Sequence, residues 1–199
     1  SQVLRKHASE LLGREEVQEL LEHLKKIAPK LVEDVVPKVI PTATVQKVLQ
    51  NLLTEGVSIR DAKTILETMA EHFTSTQDTG LLTGAVRTKL ARAIVQQIVG
   101  NEPVVPVMTL SPKLEGMLIQ AFNNGGADLD GATTESLLNN VAKTSEDIEA
   151  AGANPVLLVS SAIRMSLSRF LRRSIPNLVV LANEEIPDGK QIRITNVIG

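Results

Sequence analysis

The sequence predicts an α+β fold: an all-helical subdomain followed by a small α/β subdomain with a mixed sheet. Apolar residues recur at helical spacing from Ser1 to Gly100. Beyond Asn101 the period changes, and short apolar runs alternate with helical stretches. Proline and glycine punctuate both halves. The helical subdomain is expected over residues 13–102 and the α/β subdomain over residues 103–199.

The helical elements follow in order. Val3, Leu4, Ala8 and Leu11 lie on one side of an opening amphipathic helix. The next helix has Glu15 and Glu16 in its first turn and Lys25 and Lys26 in its last, matching the helix dipole. Its apolar stripe is Val17, Leu20, Leu21, Leu24 and Ile27, and Pro29 stops it. Pro37 and Pro41 bracket a connector. Thr42 or Thr44 is then placed to cap a helix whose buried face is Val45, Val48, Leu49, Leu52 and Leu53. Gly56 stands where a left-handed residue ends that helix. Ser58 and Asp61 form an S-x-x-D capping box for a helix that buries Ile59, Ala62, Ile65, Leu66 and Met69. Asp78 or Thr79 opens a long helix with Leu82, Val86, Leu90 and Ile94 inward, and Gly100 closes it.

The strands come next. Val104 to Leu110 reads as a strand, with Pro106 placing it at an edge or a bulge. Ser111-Pro112 starts a helix carrying Leu114, Met117, Leu118 and Phe122, and Asn123 to Gly131 is a polar, glycine-rich loop. A helix from Thr133 to Ala151 turns Leu137, Leu138, Val141 and Ile148 inward. Val156 to Ser160 is an apolar strand, followed by a helix from Ala162 to Ser174. Leu178 to Ala182 and Ile192 to Ile198 complete the strands, with a turn at Asp188-Gly189. At least one strand pair is expected to be parallel.

Composition narrows the function. A formal net charge of −2 points to neither nucleic acid nor a membrane surface. Cysteine is absent, which removes disulfides, thiolate nucleophiles and cysteine metal sites. Aromatics are 2%, all Phe, so stacking platforms for single strands are not expected. His7, His23 and His72 lie far apart and in no metal-ligand spacing. Asp128-Leu129-Asp130-Gly131 resembles part of a calcium loop, but Gly126 and Leu137 would occupy positions that need oxygen ligands. Neither a phosphate-binding glycine loop nor a nucleophile elbow occurs. The expectation is a non-enzymatic chain with no catalytic residues, no cofactor and no metal.

A helix–turn–helix DNA reader is the alternative from another class, suggested by the two helices around Gly56. Between Val45 and His72 the bases Lys47, Arg60 and Lys63 face the acids Glu55, Asp61, Glu67 and Glu71. That balance lacks the exposed cations which phosphate neutralisation requires.

One charge pattern stands out as a candidate interaction surface. Arg164, Arg169, Arg172 and Arg173 are expected on the side of their helix opposite Ile163, Leu167, Phe170 and Leu171. No Asp or Glu occurs from Asn154 to Asn183, whereas Glu115 to Glu149 holds seven acids against Lys143. The α/β subdomain should therefore have a basic and an acidic side, suited to an acidic partner or to a neighbouring copy.

The segments HASELLGREEVQELL, LVEDVVP, VQKVLQNLL, SIRDAKTILETMAEH, PVLLVSSAIRMSLSRFLRRSIPNLVVL and IRITNVIG, in that order, resemble the cytoplasmic C-terminal part of the FlhA family. That family is the export-gate component of the flagellar type III secretion apparatus. The resemblance implies that residues 1–12 end a preceding subdomain, and that the chain is a piece of a longer inner-membrane protein. It also implies a cytosolic ring-forming scaffold whose partners are further copies of itself, export chaperone–cargo complexes and other export components. Neither nucleic acid nor direct membrane contact is implied for this stretch. The virulence-injectisome branch shares the architecture and is the alternative; SIRDAKTILETMAEH and FLRRSIPNLVVL are closer to the flagellar branch.

Overall fold

The computed structural model describes residues 12–126 and 129–199, so the helix expected around Val3, Leu4, Ala8 and Leu11 lies outside the described residues. The chain divides into two compact units, one ending at Ile94 and one running from Val95 to Gly199.

In the first unit, helix α1 (Arg14–Ile27) keeps its acids in the first turn and its lysines in the last. Val17, Leu21 and Leu24 are buried, but Ile27, expected to close the stripe, is 78% exposed. It is the last helical residue before the chain turns at Ala28, past the end of the packed face. Pro29 stops α1 by opening α2 (Pro29–Val35) at a position where its missing amide proton is no loss. Helix α3 (Thr42–Thr54) buries Val45, Val48, Leu49 and Leu52. Neither threonine caps it, because the helix begins at Thr42 itself and the Thr44 amide donates to the Pro41 carbonyl at 3.0 Å.

The end of α3 follows the sequence closely. Gly56 adopts φ 74°. Its amide donates to the Leu53 carbonyl at 3.0 Å, and the Val57 amide donates to Leu52 at 2.9 Å. This crossed pair is the Schellman arrangement, which satisfies carbonyls that the helix leaves open. The expected capping box is replaced by a later start. Helix α4 (Ala62–Phe73) is capped by Asp61, whose Oδ1 accepts from the Thr64 amide at 3.3 Å. Ser58 Oγ instead accepts from the Arg60 amide at 3.2 Å, which bends the loop and leaves Ile59 outside the helix.

Asp78 caps α5 (Thr79–Lys89) by accepting from the Leu81 amide at 2.9 Å. The single long helix expected here is two, because the chain breaks at Leu90 before α6 (Ala91–Val99). The Leu90 amide still reaches Val86 and the Ile94 amide still reaches Leu90, each at 3.0 Å. The stripe Leu82, Val86, Leu90 and Ile94 therefore stays buried across the break. Helix α1 packs on α2, α3 and α4, and both α3 and α4 pack on α5. Buried Asn51 donates to Thr83 at 3.1 Å, and buried Arg87 lies 3.5 Å from Glu55, tying α3 to α5.

The second unit is built on four strands: β1 (Val104–Leu110), β2 (Val156–Val159), β3 (Val179–Ala182) and β4 (Gln191–Ile198). Their order is β3-β2-β1-β4 and every pair is parallel, so the mixed sheet is corrected to a wholly parallel one. The Asp188-Gly189 turn is present, with Gly189 at φ 90°. It does not join neighbouring strands, because the link over residues 183–190 carries the chain from one edge of the sheet to the other.

Pro106 is likewise not on an edge strand, since β1 lies between β2 and β4. Pairing with β2 involves only Met108 and Thr109, so the Pro106 half of β1 has a neighbour on one side alone. That local edge is where a residue without an amide proton fits. The ladder to β4 shifts between Val107 and Met108, leaving Thr195 as the extra residue.

Three helices cover one face of this sheet: α7 (Pro112–Asn123), α8 (Gly131–Ala150) and α9 (Arg164–Arg172). Met108, Leu110, Leu157, Val159, Val180 and Ile198 from the strands meet Leu118, Leu137, Val141, Leu167 and Leu171 from the helices and Ile163, which precedes α9. All four residues of β2 are buried, as suits an interior parallel strand. Helix α9 packs beside β3 and α8 beside β4. The end of α6 belongs to this unit, with Asn154 donating to the Ile98 carbonyl at 2.9 Å and Lys190 to Gly100 at 3.0 Å.

Candidate interaction surface

The structure separates the four arginines. Arg169 and Arg173 are exposed and Arg172 is half-buried, while Arg164 is buried at 3% exposure. Arg164 therefore leaves the expected surface. At 3.6 residues per turn it lies only about 20° from Leu171, seven residues on, so it shares the buried face. Ser168, about 40° further round, is buried with it. Arg169 and Arg173 sit about 140° and 180° from Arg164 and face outward.

Buried Arg164 is held by partners that the sequence did not reveal. Its guanidinium donates to the Val180 carbonyl at 3.3 Å and lies 4.0 Å from the Glu185 carboxylate. The other Glu185 oxygen accepts from the Ala182 amide at 2.9 Å. The pair thus pins the end of β3 and the 3-10 turn Asn183–Glu185 to the start of α9. The only available signal was the period of Arg164 itself, which matches the apolar stripe. Arg172 donates to the Pro176 carbonyl at 3.4 Å, fixing the turn after α9.

The acidic side is real as well. Glu135, Glu146, Asp147 and Glu149 of α8 are all exposed. Asp130 begins that helix, accepting from the Thr133 amide at 2.6 Å. Those hydrogen bonds, from the Thr133 backbone first and its hydroxyl second, hold the Asp130 carboxyl below the usual aspartate range. Asp128 of the same loop lies outside the described residues.

Strand β4 adds an apolar feature. It is an edge strand exposed along its length except at Ile198, and Ile192, Ile194 and Val197 project into solvent. Met117, expected inward, is also exposed. It borders an open groove of about 390 Å³ between α7, α8 and the end of β4, whose lining carries one charged side chain, Lys113. Among the described residues no three His, Asp or Glu side chains converge as metal ligands. No helix among them is long and apolar enough to cross a membrane. The seven residues between α3 and α4 exceed the 3–4-residue turn of a DNA-binding helix–turn–helix.

This geometry presents exposed charged and apolar surfaces, and comparison with known proteins gives the chain a family. The FHIPEP family model matches residues 1–191. The chain belongs to the FHIPEP family. Within it, the chain is 48% identical over 197 residues to flagellar biosynthesis protein FlhA of Escherichia coli K12, covering 99% of this chain and 28% of that protein. The FHIPEP chain therefore spans little more than a quarter of that relative. Among solved structures it is similar to the Chlamydia pneumoniae CdsV and CdsO protein complex, with TM-score 0.86 and 27% identity, covering 99% of this chain and 59% of the other. It shares its fold with nonameric EPEC SctV-C, at TM-score 0.86 and 22% identity over 98% of this chain and 60% of the other.

Proposed function

We propose that this FHIPEP chain is a docking and ring-forming scaffold of the flagellar type III protein export gate, working through interfaces and without catalysis. The observation that carries the reading is the near-complete match to flagellar FlhA, at 48% identity over 99% of the chain. Residues 1–12 would close a preceding subdomain, 13–102 form the helical subdomain and 103–199 the α/β subdomain. The chain would work on the cytoplasmic side of the bacterial inner membrane, as the cytosolic part of an integral membrane protein. Its partners are further copies of itself, export chaperone–cargo complexes and other export components. A nonameric relative and a relative solved with CdsO support self-association and contact with a second secretion protein. Identity to the flagellar relative, 48% against 27% to CdsV, favours the flagellar branch over the injectisome.

Exchange of the matched stretch tests this. Escherichia coli FlhA carrying this chain in place of its own corresponding residues should insert in the membrane and still export flagellar subunits. A chimera that accumulates normally but exports nothing would overturn the reading.

A further inference from the structure

Several exposed charges on α8 and α9 are unmatched among the described residues. Among the described residues, Arg169 and Arg173 on one side, and Glu135, Glu146, Asp147 and Glu149 on the other, have no ion pair or side-chain hydrogen bond. We propose that these two sides meet between molecules: Arg169 and Arg173 of one copy dock on Glu146 and Glu149 of the next. The proposal rests on the scaffold reading above and names one face through which copies would join.

Placement comes first. Helix α9 packs on β3 and α8 on β4, at opposite edges of the sheet. The strands that carry the two helices are three strand spacings apart, roughly 14 Å, which is beyond the reach of a direct ion pair within one copy. A surface with complementary, non-overlapping ends makes a head-to-tail contact, which either closes into a ring or runs on as a filament.

The spacing also matches. Arg169 and Arg173 are four residues apart, which puts them about 40° apart round the axis and about 6 Å apart along it. Glu146 and Glu149 are three residues apart, about 60° and about 4.5 Å. Each pair occupies one strip of its helix, and the two strips have nearly the same length.

The acids are where a helix acting alone would not place them. Glu146, Asp147 and Glu149 crowd the C-terminal end of α8, whose last turn holds no basic residue. Carboxylates there are repelled by the negative end of the helix dipole. The arginines need no such explanation, because a basic last turn suits α9. An incoming guanidinium pair relieves α8, and residues that break a local rule without local compensation mark sites of interaction. Arg over Lys on the opposing strip suits carboxylate pairing, since the guanidinium fork donates to two carboxylate oxygens at once.

Sedimentation velocity of the whole 199-residue chain tests the contact. At low salt the mass should climb above 21.5 kDa with concentration. Raising ionic strength from about 0.05 M to about 0.5 M should weaken association by roughly tenfold or more. R169E/R173E and E146R/E149R should each lose roughly tenfold or more when alone. Mixed together, the two variants should regain association, because each supplies the sign the other lacks. Circular dichroism confirms that both are folded. Three outcomes overturn the contact: a monomer under all conditions, association indifferent to salt and reversal, or loss on arginine reversal that mixing does not restore. The last points to a different acidic partner for α9. Chaperone–cargo binding measured on the same samples separates the two claims, since failure of self-association alone removes this contact and leaves the docking role standing.

Discussion

Asp130 shows how much of this molecule rests on single polar contacts. It caps the twenty-residue helix α8 through the Thr133 amide and hydroxyl, and these bonds keep its carboxyl below the ordinary range. A lowered folded value means that the cap's contribution is complete above the unfolded value near about 3.9 and is lost as pH falls through the folded one. Acidification to below the ordinary aspartate range should therefore release the first turn of α8, read as a shift and faster exchange of the Thr133 amide. Neutral Asn at this position, which also caps well, should make that signal insensitive to acid. Arg164 and Glu185 carry a larger share. Arg164→Met leaves a buried carboxylate without its cation and should lower unfolding free energy by about 3–5 kcal/mol in urea titration. The double change R164M/E185Q should cost less than R164M alone, because no charge is then stranded. The sequence exposed Arg164 as a cation but not as a buried one. Grouping it with Arg169 and Arg173 by charge overlooked a helical period that sets it beside Leu171.

Several individual elements were legible from local signals, although the caps expected at Thr42 or Thr44 and at Ser58 were not formed. Gly56 is the clearest case, since only a residue without a Cβ adopts φ 74° at no cost, and the Schellman bonds follow. Gly56→Ala should destabilise the chain by about 1 kcal/mol, seen as a lower thermal midpoint. Gly84 makes the contrast, for it sits inside α5 with open space where a Cβ would go. Gly84→Ala should raise stability by up to about 1 kcal/mol in the same assay. Caps at Asp78 and Ser111 were also legible, because each depends on residues within three positions. The strand connections were not. The link over residues 183–190 holds the expected Asp188-Gly189 turn, yet the strands it joins lie at opposite edges. Where a strand inserts is decided by packing partners far along the chain, which local pattern does not encode. Pro106 signalled the irregularity beside it, a register shift between Val107 and Met108, but not that β1 lies inside the sheet, since that depends on where β2 begins.

At the scale of the whole molecule, the division into a helical unit and a parallel α/β unit gives two frames that present surfaces. The apolar edge of β4, the outward arginines of α9 and the acidic end of α8 all lie on the second frame. Of the candidate surface, the outward position of Arg169 and Arg173 was legible in the sequence, whereas the burial of Arg164 and the placement of α8 and α9 at opposite sheet edges needed the fold. Family membership makes the proposed export-gate role the setting in which these surfaces are to be tested. The central claim is that this chain works by binding other proteins. Its most direct test is the mass of the chain in solution, alone and mixed with flagellar chaperone–cargo complexes. The account predicts a saturable rise in mass with at least one such complex, whereas a chain that keeps its 21.5 kDa mass in every mixture would contradict it.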